Sequence, residues 1–121
     1  MAACIISEDF ASSEPPLAFQ TGIFTPSKFA AIGYPGTPIA KYQFNGKRMW
    51  QSVGAWVSEK NGIVWAENNL TSGASGGPWC DPDGNYRVYG LTSYREDDPD
   101  QAGSPAFLDG FDNLYDALKN L

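Results

Sequence analysis

Hydrophobic residues along the chain recur in short blocks broken by glycine, proline and asparagine, not in long helical stripes. Met1-Ala2-Ala3-Cys4-Ile5-Ile6-Ser7 reads as a short buried strand. Phe29-Ala30-Ala31-Ile32-Gly33-Tyr34 reads as another, stopped by the turn pair Pro35-Gly36. Hairpin signals follow. Residues 42–44 and 47–50 flank Asn45-Gly46, a pair suited to a type I′ turn with positive φ at both positions. Residues 55–58 and 63–66 flank a loop holding Asn61-Gly62, and residues 77–80 and 86–92 flank Asp81-Pro82-Asp83-Gly84. Short strands at this spacing predict an all-β barrel or sandwich. Beyond Phe107 the period changes: Phe111, Leu114, Tyr115, Leu118 and Leu121 predict an amphipathic helix, with Asp109 placed to cap it. Residues 8–26, with Pro15, Pro16, Gly22 and Pro26, predict a connecting arm laid over a surface.

Composition narrows the function classes. At 121 residues there is room for one domain, and 42% hydrophobic with 14% aromatic residues supports a packed core, not a disordered tail. Eight Lys and Arg against 14 Asp and Glu argue against binding a phosphate backbone. The acidic run Glu96-Asp97-Asp98-Pro99-Asp100 has no EF-hand pattern around it and reads as a solvated loop, not a calcium site. No apolar run is long enough to span a bilayer, no export signal is legible, and no internal repeat appears. Cys4 and Cys80 have no metal-ligand spacing; they read as one disulfide or, preferably, as two small buried hydrophobes. Asn69-Leu70-Thr71 is a glycosylation triplet of a kind that arises often by chance. The chain has no histidine, so it cannot by itself complete a mechanism that needs an imidazole base.

The informative stretch is Leu70-Thr71-Ser72-Gly73-Ala74-Ser75-Gly76-Gly77-Pro78-Trp79. Glycines let the backbone turn sharply, so the N–H groups of Gly73 and Ser75 can point to one spot and form an oxyanion hole for acyl transfer. Without side chains at Gly73 and Gly76, a substrate carbonyl can approach the Ser75 hydroxyl. The same residues match the G-x-S-x-G nucleophile elbow of α/β-hydrolases, but that elbow needs a following helix, which Gly76-Gly77-Pro78 opposes. A plain glycine-rich turn between strands is the bland alternative.

Together with Val88-Tyr89-Gly90-Leu91-Thr92-Ser93-Tyr94 downstream and Ile32-Gly33-Tyr34-Pro35-Gly36 upstream, the motif resembles the C-terminal barrel of trypsin-like (chymotrypsin-fold) serine peptidases, in particular their bacterial glutamyl-endopeptidase-like branch. The resemblance covers residues 30–121. It implies a six-stranded antiparallel β-barrel, half of a chymotrypsin-type double barrel, with a C-terminal α-helix; residues 1–29 would be a remnant strand and an inter-barrel arm. It implies Ser75 as nucleophile, with the Gly73 and Ser75 N–H groups as the oxyanion hole. Asn69 matches the base of the specificity pocket, where an amide does not suit Lys or Arg substrates. Ser93 matches the serine that bonds the triad aspartate, and Tyr94 and Arg95 the strand that pairs with substrate backbone. Arg95 reads either as a partner for an acidic substrate side chain or, more commonly, as an exposed structural arginine. Ala74 departs from the pattern: trypsin has an acid there that pairs with a freed N-terminus, so activation by that salt bridge is unavailable. No metal or organic cofactor is implied.

The family's histidine and aspartate belong to the preceding barrel. Met1-Ala2-Ala3-Cys4-Ile5-Ile6 resembles the strand that follows the triad aspartate, so the expectation is that Met1 is an internal methionine or a boundary cut within a longer protein. Competing readings follow: the nucleophile-bearing half of a serine endopeptidase, inactive alone; a non-catalytic peptide-binding module; or a structural, self-associating barrel. The expected partners are a peptide or protein substrate and either the missing N-terminal barrel or a second copy, with no nucleic acid and no membrane. The parent protein is expected outside the cell or in its envelope.

Overall fold

The structure, a computed structural model, describes residues 17–22, 26–83, 87–96, 98 and 100–120. Small and apolar residues make Lys28–Gly33 (β1) a strand that can be covered on both faces: Phe29, Ala30, Ala31 and Gly33 are all buried. It pairs on one edge with Trp50–Lys60 (β2) and on the other with Pro78–Cys80 (β4). Ile63–Glu67 (β3), Val88–Leu91 (β5) and Gln101–Pro105 (β6) complete a six-stranded antiparallel sheet in the order β5-β4-β1-β2-β3-β6. Past β5 the chain swings onto β6. The N–H groups of Ser93 and Tyr94 donate to the Gly103 carbonyl at 3.0 and 2.9 Å, and the Gly103 N–H donates to the Tyr94 carbonyl at 2.8 Å, which closes the sheet into a barrel. Phe29, Phe44, Leu70 and Trp79, each at most 2% exposed, fill it together with small residues.

The β2–β3 hairpin turns on Asn61 (φ 55°) and Gly62 (φ 76°), with Lys60 opposite Ile63, which is the two-residue type I′ geometry. The other Asn-Gly pair does not behave this way. Gly46 has φ 73° but Asn45 is not in the left-handed region, and residues 42–44 form no strand. The Gly46 N–H is drawn to the Pro35 carbonyl at 2.8 Å, and Asn45 Oδ1 accepts from the Lys47 N–H at 3.0 Å. Tyr42 and Phe44 stack side by side and both meet Trp50.

The local pattern gives no sign of β6, Gln-Ala-Gly-Ser-Pro, whose central Gly103 is small for a tertiary reason. A β-carbon on Gly103 would lie 3.0 Å from both Ile63 Cγ2 and Tyr94 Cβ. The final helix, Asp109–Lys119 (α1), is capped at Leu108 with no side-chain cap bond, so Asp109 is its first residue and not the cap the sequence suggested. Phe111 stacks on Phe107 with centroids 4.4 Å apart, while Phe19 meets Phe111 and Tyr115 edge-on. The arm that carries Phe19 lies on β5: the Gln20 N–H donates to the Val88 carbonyl and the Val88 N–H to the Ala18 carbonyl, both at 2.8 Å. The strand expected over residues 1–7 and Cys4 lie outside the described residues, and Cys80 is a buried free thiol.

Candidate active site

The segment joining β3 to β4 carries the serine motif, and each residue before the serine is tied down. Asn68, 2% exposed, donates its N–H to the Asp100 carbonyl at 2.7 Å and accepts from the Leu70 N–H on Oδ1 at 2.9 Å. Leu70 plugs the core at 1% exposure. Thr71 Oγ1 donates to the Thr37 carbonyl at 2.7 Å and accepts from the Thr37 N–H at 3.2 Å. The Ser72 carbonyl accepts from the Gly36 N–H at 2.7 Å.

Gly73 then turns with φ +100°, and a β-carbon there would stand 2.8 Å from the Tyr34 carbonyl oxygen, so both conformation and space require glycine. Gly77 is as tightly placed: its β-carbon would fall 2.0 Å from the Ile32 carbonyl oxygen. Residues 32–36 and 72–77, two glycine-bearing stretches far apart in sequence, therefore lie directly against each other. Between them Ser75 is left exposed at a tight bend.

Backbone hydrogen bonds in the bend are divided unequally. The Ala74 N–H donates to the Thr71 carbonyl, the Gly76 N–H to the Thr92 carbonyl and the Gly77 N–H to the Ala74 carbonyl, at 3.2, 2.8 and 3.0 Å. The N–H groups of Gly73 and Ser75 donate to no acceptor among the described residues, nor does the Ser75 hydroxyl have a partner there. Two unspent donors on exposed residues flanking buried Ala74 can hold an anionic oxygen.

Ser75 sits on a cleft of about 70 Å³ with two walls, residues 70–72 on one side and residues 92–95 on the other. Ser75, Ser93, Tyr94 and Arg95 are thus brought together, with Gly73 in the adjoining bend. Asn69 is not. With Leu70 drawn into the core and Asn68 bonded to the Leu70 N–H, Asn69 is turned toward β2. There its N–H meets Ser52 Oγ at 3.3 Å, and the residue lines two other pockets, one of about 290 Å³ with Tyr42, Phe44 and Trp50 and one of about 220 Å³ with Glu67 and Asp100. Asn69 is thus not among the residues that line the cleft beside Ser75. Arg95 Nη2 donates to the Leu70 carbonyl across the cleft, with the Asn68 carbonyl 3.5 Å away.

One residue missed by the sequence reading is Thr92, whose Oγ1 accepts from Trp79 Nε1 at 2.9 Å in the interior. A buried tryptophan needs such an acceptor, but nothing in the sequence says which residue supplies it. Burial pushes the Cys80 thiol above its ordinary value, so it is no rival nucleophile at neutral pH. Among the described residues no group of His, Cys, Asp and Glu could hold a metal ion, and no helix is long and apolar enough to cross a membrane.

The closed six-stranded antiparallel barrel with one terminal helix has the fold of one half of a chymotrypsin-type double barrel. No protein-family model and no curated protein matches the sequence. Solved structures do. A thermostable serine protease from an extremophilic microorganism matches at 23% identity with a TM-score of 0.70, over 86% of this chain and 48% of that one. The protease Anisep from Arthrobacter nicotinovorans matches at 19% identity and TM-score 0.68, over 84% and 47%. A Glu endopeptidase in complex with MPD matches at 18% identity and TM-score 0.64, over 87% and 47%. The chain spans about half the length of each of these structures.

Proposed function

We propose that the chain is the nucleophile-bearing half of a trypsin-like serine endopeptidase that acts outside the cell or in its envelope. In this reading Ser75 Oγ attacks the carbonyl carbon of a peptide bond. The carbonyl electron pair moves onto oxygen, which the Gly73 and Ser75 N–H groups hold as an oxyanion. The Ser75 proton passes to an imidazole and then to the departing amine, and water later releases the acyl group from Ser75. Ser93 would steady the triad aspartate and Tyr94 would pair with substrate backbone. With no histidine in its 121 residues, the chain depends on polypeptide outside it for that imidazole. Loss of the base removes roughly 10⁴- to 10⁶-fold in rate, so the chain alone is expected at background. The observation that carries the reading is Ser75 exposed at a bend whose Gly73 and Ser75 N–H groups are unspent, at the mouth of a cleft.

The test reads the coding sequence ahead of Met1 and expresses the longer product. An in-frame barrel bearing His and Asp is expected, with a fluorophosphonate labelling Ser75 in the long form, not in its Ser75→Ala variant, and only at background in this chain. A stop codon directly upstream, or stoichiometric labelling of this chain alone, overturns the half-site reading.

A further inference from the structure

Resting on that proteolytic reading, we infer that Thr71 is a positioning residue. Its hydroxyl holds the turn before Ser75 in the one of two conformations that leaves the Gly73 N–H free for an oxyanion. Thr71 and Ala74 bracket that turn, for the Ala74 N–H donates to the Thr71 carbonyl at 3.2 Å. Gly73 is its third residue and has φ +100°, which is the type II arrangement. A type I turn closes the same hydrogen bond with a negative φ at the third residue, and glycine accepts either sign. The two forms differ by a half-rotation of the Ser72–Gly73 peptide. The C=O and N–H of a trans peptide point in opposite directions, so that rotation would put the Ser72 carbonyl where the Gly73 N–H stands. A carbonyl oxygen there would repel the anionic oxygen that the N–H can hold.

Contacts to residues 35–37 select the type II form. The Ser72 carbonyl accepts from the Gly36 N–H at 2.7 Å, a bond that the rotated peptide would forfeit. Gly36 is exposed, and one such bond in contact with water is a weak lock by itself. Thr71 supplies the rest. Its Oγ1 donates to the Thr37 carbonyl at 2.7 Å and accepts from the Thr37 N–H at 3.2 Å, so one side chain grips Thr37 at two points. That grip sets Gly36, the neighbour of Thr37, where its N–H meets the Ser72 carbonyl. The segment is also held from behind, by the Gly46 N–H on the Pro35 carbonyl at 2.8 Å. Valine has the shape of threonine but cannot donate or accept at the side chain, whereas serine does both.

The test uses the ¹⁵N-labelled chain and needs no turnover. Amide hydrogen exchange by NMR is expected to show Gly36 protected, and Gly73 and Ser75 unprotected, in the native chain. In Thr71→Val the Gly36 amide is expected to exchange about tenfold faster, with amides inside β3 unchanged, and in Thr71→Ser at the native rate. Acetyl-Ala-Ala-Ala acid, whose carboxylate resembles a cleavage product, is expected to move the Gly73 and Ser75 amides. It should bind Thr71→Val about tenfold more weakly than the native chain or Thr71→Ser. Unchanged exchange in Thr71→Val, faster exchange with unchanged affinity, or equal losses in the valine and serine variants overturns the inference and leaves the proteolytic reading standing. Should the valine variant unfold, the native chain decides: a Gly36 amide at least about tenfold slower than Gly73 upholds the lock, and one as fast overturns it. If the peptide at about 10 mM moves neither the Gly73 nor the Ser75 amide of the native chain, the bend holds no oxyanion and both readings fall.

Discussion

Gly33, the last residue of β1, and Ala74, the residue before Ser75, are packed so closely that a β-carbon on Gly33 would stand 2.8 Å from the β-carbon of Ala74. Ala74 is 1% exposed, so the contact is internal and cannot relax toward solvent. The end of one strand thereby fixes the height of the serine bend above the sheet. The position of Ser75 is decided by a residue 42 positions away, as 75 minus 33 gives.

Gly33→Ala tests this contact. Gly33 does not have a left-handed φ, so the backbone accepts alanine and the cost is steric alone. Overpacking of this kind destabilises by about 1–3 kcal/mol, read as a lower urea midpoint by tryptophan fluorescence. Adding Ala74→Gly removes the opposing methyl and is expected to recover part of the loss, with a coupling energy of about 0.5–3 kcal/mol. Strict additivity of the two changes would refute the contact as the cause.

Gly62→Ala separates backbone strain from crowding. Gly62 has φ +76°, and its β-carbon would meet nothing closer than Leu108 Cδ1 at 3.8 Å. The penalty is then conformational, about 1–2 kcal/mol. An unchanged thermal midpoint would show that the hairpin does not need the type I′ turn.

The two Asn-Gly pairs also show what local reading can and cannot reach. Both carry the same turn signal, but only Asn61-Gly62 is flanked by segments that pair with each other; at Gly46 the N–H answers to Pro35, which no local pattern reveals. β1 was legible as a short apolar run stopped by Pro35-Gly36, the strands about Asn61 and Asp81 by their turn residues, and the helix by its period. β6 was not, since at its centre Gly103 has no room for a side chain against Ile63, Tyr94 and Trp65. In the site, the motif was enough to bring Ser75, Ser93, Tyr94 and Arg95 to one cleft. A spacing of six residues does not show that the Asn69 N–H is taken by Ser52 Oγ on β2.

Thr92→Val probes the buried bond between Trp79 Nε1 and Thr92 Oγ1, 2.9 Å long. Valine keeps the shape and deletes the acceptor, leaving an indole N–H on a residue 1% exposed with nothing to bond. Such an orphan costs about 1–3 kcal/mol, expected as a lower urea midpoint with a shifted tryptophan emission. Thr92→Ser retains the oxygen and should restore the emission. Equal emission in the two variants would dismiss the bond.

Stability should also fall in alkali, through two groups that the fold holds neutral. Burial raises the Cys80 thiol above its ordinary 9.0. Burial, followed by the charge of Asp81, raises the Tyr89 phenol above its ordinary 10.0; Arg87 opposes the shift, and a hydrogen bond to Asp81 adds to it. Both groups are held neutral in the fold, so the unfolded chain gives up these protons first as pH rises. Their contribution is whole below about pH 9 and is lost as the pH climbs through the folded values. The urea midpoint is therefore expected to drop from about pH 7.5 to about pH 10.5, and to drop less in Tyr89→Phe, which cannot ionise. Phenylalanine also releases Asp81 from its bond to the phenol, so the variant's midpoint at the lower pH serves as its own reference. If Tyr89→Phe loses as much between the two conditions as the native chain, the alkaline sensitivity does not come from Tyr89.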